Sequence, residues 1–310
     1  MRNLHHLFDR LSPSTQGYVL IIFTMCVWGG FSLFARLNAS WGILAWDIVA
    51  VRFGVSALIL LPILIYRQDL QFLWQPKAVA LALLGGVGYS ALVYSAFLLA
   101  PVAHGAVFLN GMIPVATAIA MLILLKKRPD TDTKIALALI VATLIAMTAL
   151  MMVKGLSFGV GDALFVVCAF CWAGYSILLR EWQFSAWQVM CSTVIWSAIL
   201  YLPIYVLMLA MDIGGLGFVG VDPSHIIIQG VFHGVLVTIF ATFTYSLAVV
   251  RLGAFFAGGL ASLAPFISAL LAVPLLGEPL NIVMVLGLIG MGLGTVQPWR
   301  FLKFTKNSFD

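Results

Sequence analysis

The chain has 310 residues, 63% of them hydrophobic and 9% charged, with a formal net charge of +5. Soluble domains carry about 25% charged residues, so this composition excludes a single water-facing globule and points to a polytopic membrane protein. Its continuous apolar runs of about 20 residues require helices, because a barrel strand needs only about 10 residues and alternates in polarity. The excess of positive charge does not indicate nucleic acid, since the basic residues sit in short segments between apolar runs. Cys26, Cys168, Cys171 and Cys191 all fall inside such runs and read as small core residues, not as disulfide partners or metal ligands.

Residues 1–16 read as a polar arm with Arg2 and Arg10. The first apolar run is long, lacks a small-residue exit and is followed by more apolar runs, so it is expected to stay as a span. Ten helices are predicted, at 17–37, 44–66, 77–99, 104–125, 133–153, 161–180, 187–210, 225–249, 254–276 and 281–298. The Gly-rich loop at 211–224 carries Asp212 and Asp222, and residues 301–310 form a tail. If the N-terminus is cytoplasmic, the inside segments hold Arg2, Arg10, Arg67, Lys77, Lys126, Lys127, Arg128, Lys134, Arg180, Arg251, Arg300, Lys303 and Lys306. The outside ends hold Arg36 and Lys154, and Arg52 lies within the second helix. Cytoplasmic loops carry the excess of Lys and Arg, so both termini are expected in the cytoplasm.

One stretch occurs twice. Trp28-Gly29-Gly30-Phe31-Ser32-Leu33-Phe34-Ala35-Arg36 returns as Trp172-Ala173-Gly174-Tyr175-Ser176-Ile177-Leu178-Leu179-Arg180. Trp46 and Pro62 match Trp187 and Pro203, Ser56-Ala57 match Ser197-Ala198, Tyr94-Ser95 match Tyr245-Ser246, and Pro114 matches Pro265. Five predicted helices separate the copies, an odd number, so the second half enters the membrane upside down. The expected fold is therefore an all-α polytopic membrane protein, with ten transmembrane helices in a 5+5 inverted repeat over 17–155 and 156–300. Secondary transporters build two related conformations around a midplane site in this way.

These residues resemble a known family. The repeat, the Trp-x-Gly-(Phe/Tyr)-Ser motif, Arg52 in helix 2, Pro114 and Pro265 in helices 4 and 9, and Leu275-Leu276-Gly277-Glu278-Pro279 are similar to the EamA-type branch of the drug/metabolite transporter superfamily. The resemblance covers residues 17–300 and is greatest to bacterial amino-acid exporters of the YddG kind. It implies ten spans, cytoplasmic termini, a central cavity, a bacterial inner membrane, and export of amino acids or related metabolites. The first half departs from the second by ending helix 4 with Lys126-Lys127-Arg128-Pro129, where the second half has Gly277-Glu278-Pro279.

Two stripes at i, i+4 spacing, Thr24-Trp28-Ser32-Arg36 and Cys168-Trp172-Ser176-Arg180, each put an indole and a hydroxyl on one helix face. They line a cavity, or they are packing faces in which small residues allow close approach. Tyr89, Ser90 and Tyr94 of helix 3, and Thr238, Thr242 and Tyr245 of helix 8, are mid-membrane hydroxyls that need partners. Tyr94 and Tyr245 read either as gate residues, one per side, or as interfacial anchors. Pro114 and Pro265 free the carbonyls of Asn110 and Ala261, with Asn110 and Ser262 on the same turns. Gly85, Gly86, Gly88, Gly258 and Gly259 are assigned to packing and rocking of the halves and not to binding. Gly290 and Gly294 form a GxxxG pattern, read as a helix contact or a homodimer face. Arg52 is assigned a structural role, bonding backbone carbonyls, and Asp47 is an awkward partner for it. His233 is read as a neutral core histidine with a proton-sensing alternative, and His104 as an entry-site contact.

Asp47, Asp162 and Glu278 lie near helix ends, leaving no carboxylate at mid-span, which disfavours proton-driven efflux of cationic drugs. No catalytic triad, metal cluster or phosphate loop appears, so neither an enzyme nor a cofactor is expected. The expected function is export of amino acids, aromatic or other neutral ones among them, by alternating access. The alternatives are a broad organic-solute or drug exporter and a passive metabolite channel. The expected partners are a small-molecule substrate and the lipid bilayer.

Overall fold

Proline at the first position of a helix loses nothing by lacking an N–H, because that donor has no partner there. Three helices begin on it: α1 (Pro13–Gly29), α3 (Pro76–Leu99) and α8 (Pro223–Leu252). The others are α2 (Ala45–Arg67), α4 (Gly105–Leu125), α5 (Thr131–Val153), α6 (Val160–Glu181), α7 (Ala186–Ala210), α9 (Ala254–Ile267) and α10 (Ile282–Val296). The computed structural model describes residues 10–30, 34, 38, 41–100, 104–153, 155, 158–214, 217–267 and 282–299. Among these, seven helices, α2 to α8, are long and apolar enough to cross a membrane, and no residue is in a strand. α1, α9 and α10 are shorter and adjoin residues outside the described set, which include Ser32, Arg36, Lys154, Glu278 and the 301–310 tail.

Side chains close the helix starts. Ser12 Oγ accepts from Thr15 N at 3.2 Å before α1, and Ser185 and Gln188 form a reciprocal capping box before α7. Asp222, just outside α8, accepts from Ser224 N at 2.7 Å, and the hydrogen bonds from Ser224 hold its carboxyl below the usual carboxylate range.

The interruptions were not expected from the sequence. α3 breaks at Gly86, whose backbone leaves the helical region (φ −116°, ψ −119°). An N–H freed inside an apolar medium must find a partner, and Val87 N donates to Ser197 Oγ of α7 at 2.9 Å. α4 opens with wide π turns over Gly105–Gly111, and α8 contains a longer such stretch over Gly230–Ala241. Pro114 therefore stands in the first turn of the regular helix after the π turns, instead of kinking its middle. α9 is interrupted at Ser262, just before Pro265.

Packing follows a pattern. α1 packs on the last part of α8, and α6 on the second part of α3; α2 packs on the middle of α8, and α7 on the first part of α3. α2 meets α7, α4 meets α9, and α5 meets α10. The α5–α10 seam uses the small-residue stripe. A Cβ on Gly290 would come within 2.0 Å of Thr143 Oγ1, and one on Gly294 within 2.5 Å of Ile140. The GxxxG pattern is thus a helix contact within the chain.

Candidate functional site

Four helices bring aromatic rings to one point. Trp28 of α1 meets Trp172 of α6 edge to face, with ring centres 5.3 Å apart, and Tyr245 of α8 also at 5.3 Å. Tyr89 of α3 lies 5.2 Å from Trp172, as do Tyr175 and Tyr245. Tyr245 and Tyr175 are fully buried, while Trp28 and Tyr89 remain partly exposed.

Hydrogen bonds lock one side of this cluster. Ser176 gives its only proton to the carbonyl of Trp172 at 2.8 Å, one turn earlier. The short contact between Ser176 Oγ and the Tyr245 hydroxyl (2.6 Å) is then a bond donated by Tyr245, and Trp172 Nε1–H donates to that same hydroxyl at 3.0 Å. Thr24 of α1 and Thr244 of α8 share a bond of 2.8 Å nearby. The two tryptophans that the repeat singled out therefore touch. Ser32, the counterpart of Ser176, lies outside the described residues.

A second polar centre lies beside the aromatic one. Arg52 Nε of α2 donates to Thr238 Oγ1 of α8 at 2.8 Å, and Thr238 donates to the carbonyl of His233 at 2.6 Å. The guanidinium sits deep in the protein within electrostatic reach of Tyr94, Tyr89 and Tyr175, and Arg52 as a residue is partly exposed. A lone charge at this depth costs about 2.5–3.5 kcal/mol on insertion scales, and among the described residues no carboxylate pairs with it. Among the described residues the partner of Arg52 is the Thr238 hydroxyl, not the carbonyls expected for it. Ser56 takes that part, donating to the carbonyls of Arg52 (2.6 Å) and Gly234 (2.8 Å).

The remaining candidates divide. Ser90 is fully buried and Tyr94 is 8% exposed, and neither hydroxyl has a hydrogen-bond partner among the described residues. Tyr94 lies 6.4 Å from Trp46 and, like Tyr245, is enclosed by protein, away from the lipid-facing surface where an anchor would sit. Thr242 is buried, and its carbonyl accepts from Ser246. Asn110 donates to the carbonyl of Gly105 at 3.2 Å and Ser262 to that of Gly259 at 2.6 Å, so both turn back onto their own helices. His233 is buried edge-on against Phe232.

Sequence reasoning left Arg52 and Tyr175 out of the site. Tyr175 matches Phe31 in the repeat, and a Cβ on Gly85 would come within 2.5 Å of its ring, which is why that position is glycine. His104 is no entry contact: its Nδ1 lies 2.6 Å from Asp162 Oδ1 in a buried pair joining the starts of α4 and α6. Asp47, awkward for Arg52 as expected, accepts from Tyr205 of α7 and from Gly217 N at 3.0 Å.

Comparison with known proteins places this arrangement. A solved crystal structure shares 18% identity at a TM-score of 0.69, covering 93% of this chain and 96% of that one, a likeness of fold alone. No curated protein matches at significance. Residues 15–149 and 159–297 match the EamA-like transporter family. With that match across most of its length, the chain belongs to the EamA-like transporter family and is a multi-pass membrane transporter.

Proposed function

We propose that the protein is a secondary transporter that exports amino acids, aromatic or other neutral ones among them, or related small metabolites. In this reading it sits in a bacterial inner membrane with ten spans and cytoplasmic termini. The observation that carries it is the meeting of Trp28 and Trp172, equivalent positions of the two halves, in one aromatic cluster with Tyr89 and Tyr245. Indole and phenol faces take an apolar side chain or ring, and the partly exposed Trp28, Tyr89 and Arg52 leave a place for it.

The packing pairs support an inverted repeat. Exchanging α1 with α6, α2 with α7, α3 with α8, α4 with α9 and α5 with α10 turns the α1–α8 contact into α6–α3 and the α2–α8 contact into α7–α3. The same exchange returns the α2–α7, α4–α9 and α5–α10 contacts to themselves. A molecule packed in this way reaches a second, related conformation when the halves trade arrangements, which is alternating access.

Uptake into proteoliposomes tests the reading against a panel of labelled aromatic, aliphatic and charged amino acids. Saturable uptake of aromatic or aliphatic amino acids is expected, falling at least about tenfold in Trp28→Ala and Trp172→Ala that elute and melt like the parent. Full activity in both variants sinks the aromatic site.

A further inference from the structure

Resting on the reading of this interior as an organic-solute site, we propose that Arg52 is its anion anchor. It takes the carboxylate of the transported molecule while the aromatic cluster takes the apolar body. A guanidinium cannot be deprotonated in a protein and carries five N–H donors in a planar fork that matches a carboxylate. Only Nε has a partner among the described residues, Thr238 Oγ1. The acids near the helix starts are committed elsewhere, Asp47 to Tyr205 and Gly217, and Asp162 to His104 and Gly159 N.

The surroundings suit a carboxylate. Tyr94, within electrostatic reach of the guanidinium, has a buried hydroxyl without a hydrogen-bond partner among the described residues, and Ser90 carries another one turn earlier on α3. Both hydroxyls donate, as a bound anion needs. Thr238 cannot take the anion's place, because it is neutral and gives its proton to His233. Tyr89 and Tyr175 lie within electrostatic reach of Arg52 and have ring centres 5.2 Å from that of Trp172, which sets the two centres side by side. The anchor sets charge selectivity: a ligand with a carboxylate is accepted, and the same skeleton bearing only an amine is rejected.

The test is a binding titration on the purified full-length protein, by intrinsic tryptophan fluorescence and thermal shift. The probes are L-phenylalanine, 3-phenylpropionate and phenethylamine, with L-leucine, 4-methylpentanoate and 3-methylbutylamine as the aliphatic set. In the parent protein, a carboxylate-bearing member of a set binds at least about tenfold more tightly than its amine. Arg52→Gln removes that ratio and leaves the amines within about twofold, and Arg52→Lys restores part of it. Amines binding as well as their carboxylate-bearing relatives overturn the proposal, and so does an equal loss for all probes in a folded Arg52→Gln. The parent ratio decides the matter even if the variant does not fold. Carboxylate-dependent binding of the aliphatic set with no aromatic binding removes the aromatic preference and keeps the anchor, whereas no binding of any probe overturns both.

Discussion

Tyr245 shows how one hydroxyl ties three residues together. It receives the Trp172 indole proton and donates to Ser176, and both Tyr245 and Ser176 are fully buried. Tyr245→Phe strands the indole N–H, so it is predicted to cost about 1–3 kcal/mol. The expected result is a lower melting temperature in detergent and slower transport, while an unchanged melt shows the indole has another partner. Trp172, Ser176 and Tyr245 were all legible in the sequence, two from the repeated stretch and one from the hydroxyls of helix 8. That they share a single oxygen was not, because it depends on how α6 and α8 are rotated against each other. Arg52 failed for a related reason. Its sequence neighbourhood offers carbonyls, and only the approach of α2 to the middle of α8 supplies Thr238.

Helix positions were the most legible feature, since a run of 20 apolar residues has few alternatives in a membrane. The predicted bounds of α2 to α8 lie within three residues of those observed. What hydropathy cannot see is a change of hydrogen-bond pattern inside a run, so the break at Gly86 and the π turns of α4 and α8 went unread. The packing role expected of Gly85 has a specific partner, the Tyr175 ring, while Gly86 lies against Ser197 of α7. Gly85→Ala is predicted to push that buried ring aside at a cost of about 1–3 kcal/mol, measured as a fall in melting temperature. Gly290→Val should open the α5–α10 seam and destabilise in the same way, because Thr143 leaves no room for a side chain. Among the described residues, His104→Ala leaves the buried Asp162 carboxylate with only the Gly159 N–H, at a predicted loss of about 1.5–3 kcal/mol. A variant that melts like the parent shows that the pair contributes nothing to stability.

At the scale of the whole molecule, a rigid protein with an aromatic cluster would bind a solute without moving it. The reason to read a carrier is the relation between the halves: their packing pairs exchange under the repeat, and equivalent tryptophans meet inside. A carrier exposes its site to one side at a time, so solute on the far side lets the site return loaded instead of empty and speeds exchange, whereas a channel shows no such effect. The decisive measurement is counterflow of labelled L-phenylalanine into proteoliposomes preloaded with the unlabelled amino acid, with no ion gradient. The prediction is a transient accumulation above the external concentration, saturable and lost in Trp172→Ala. Flux that rises linearly with concentration and ignores the preload would contradict it.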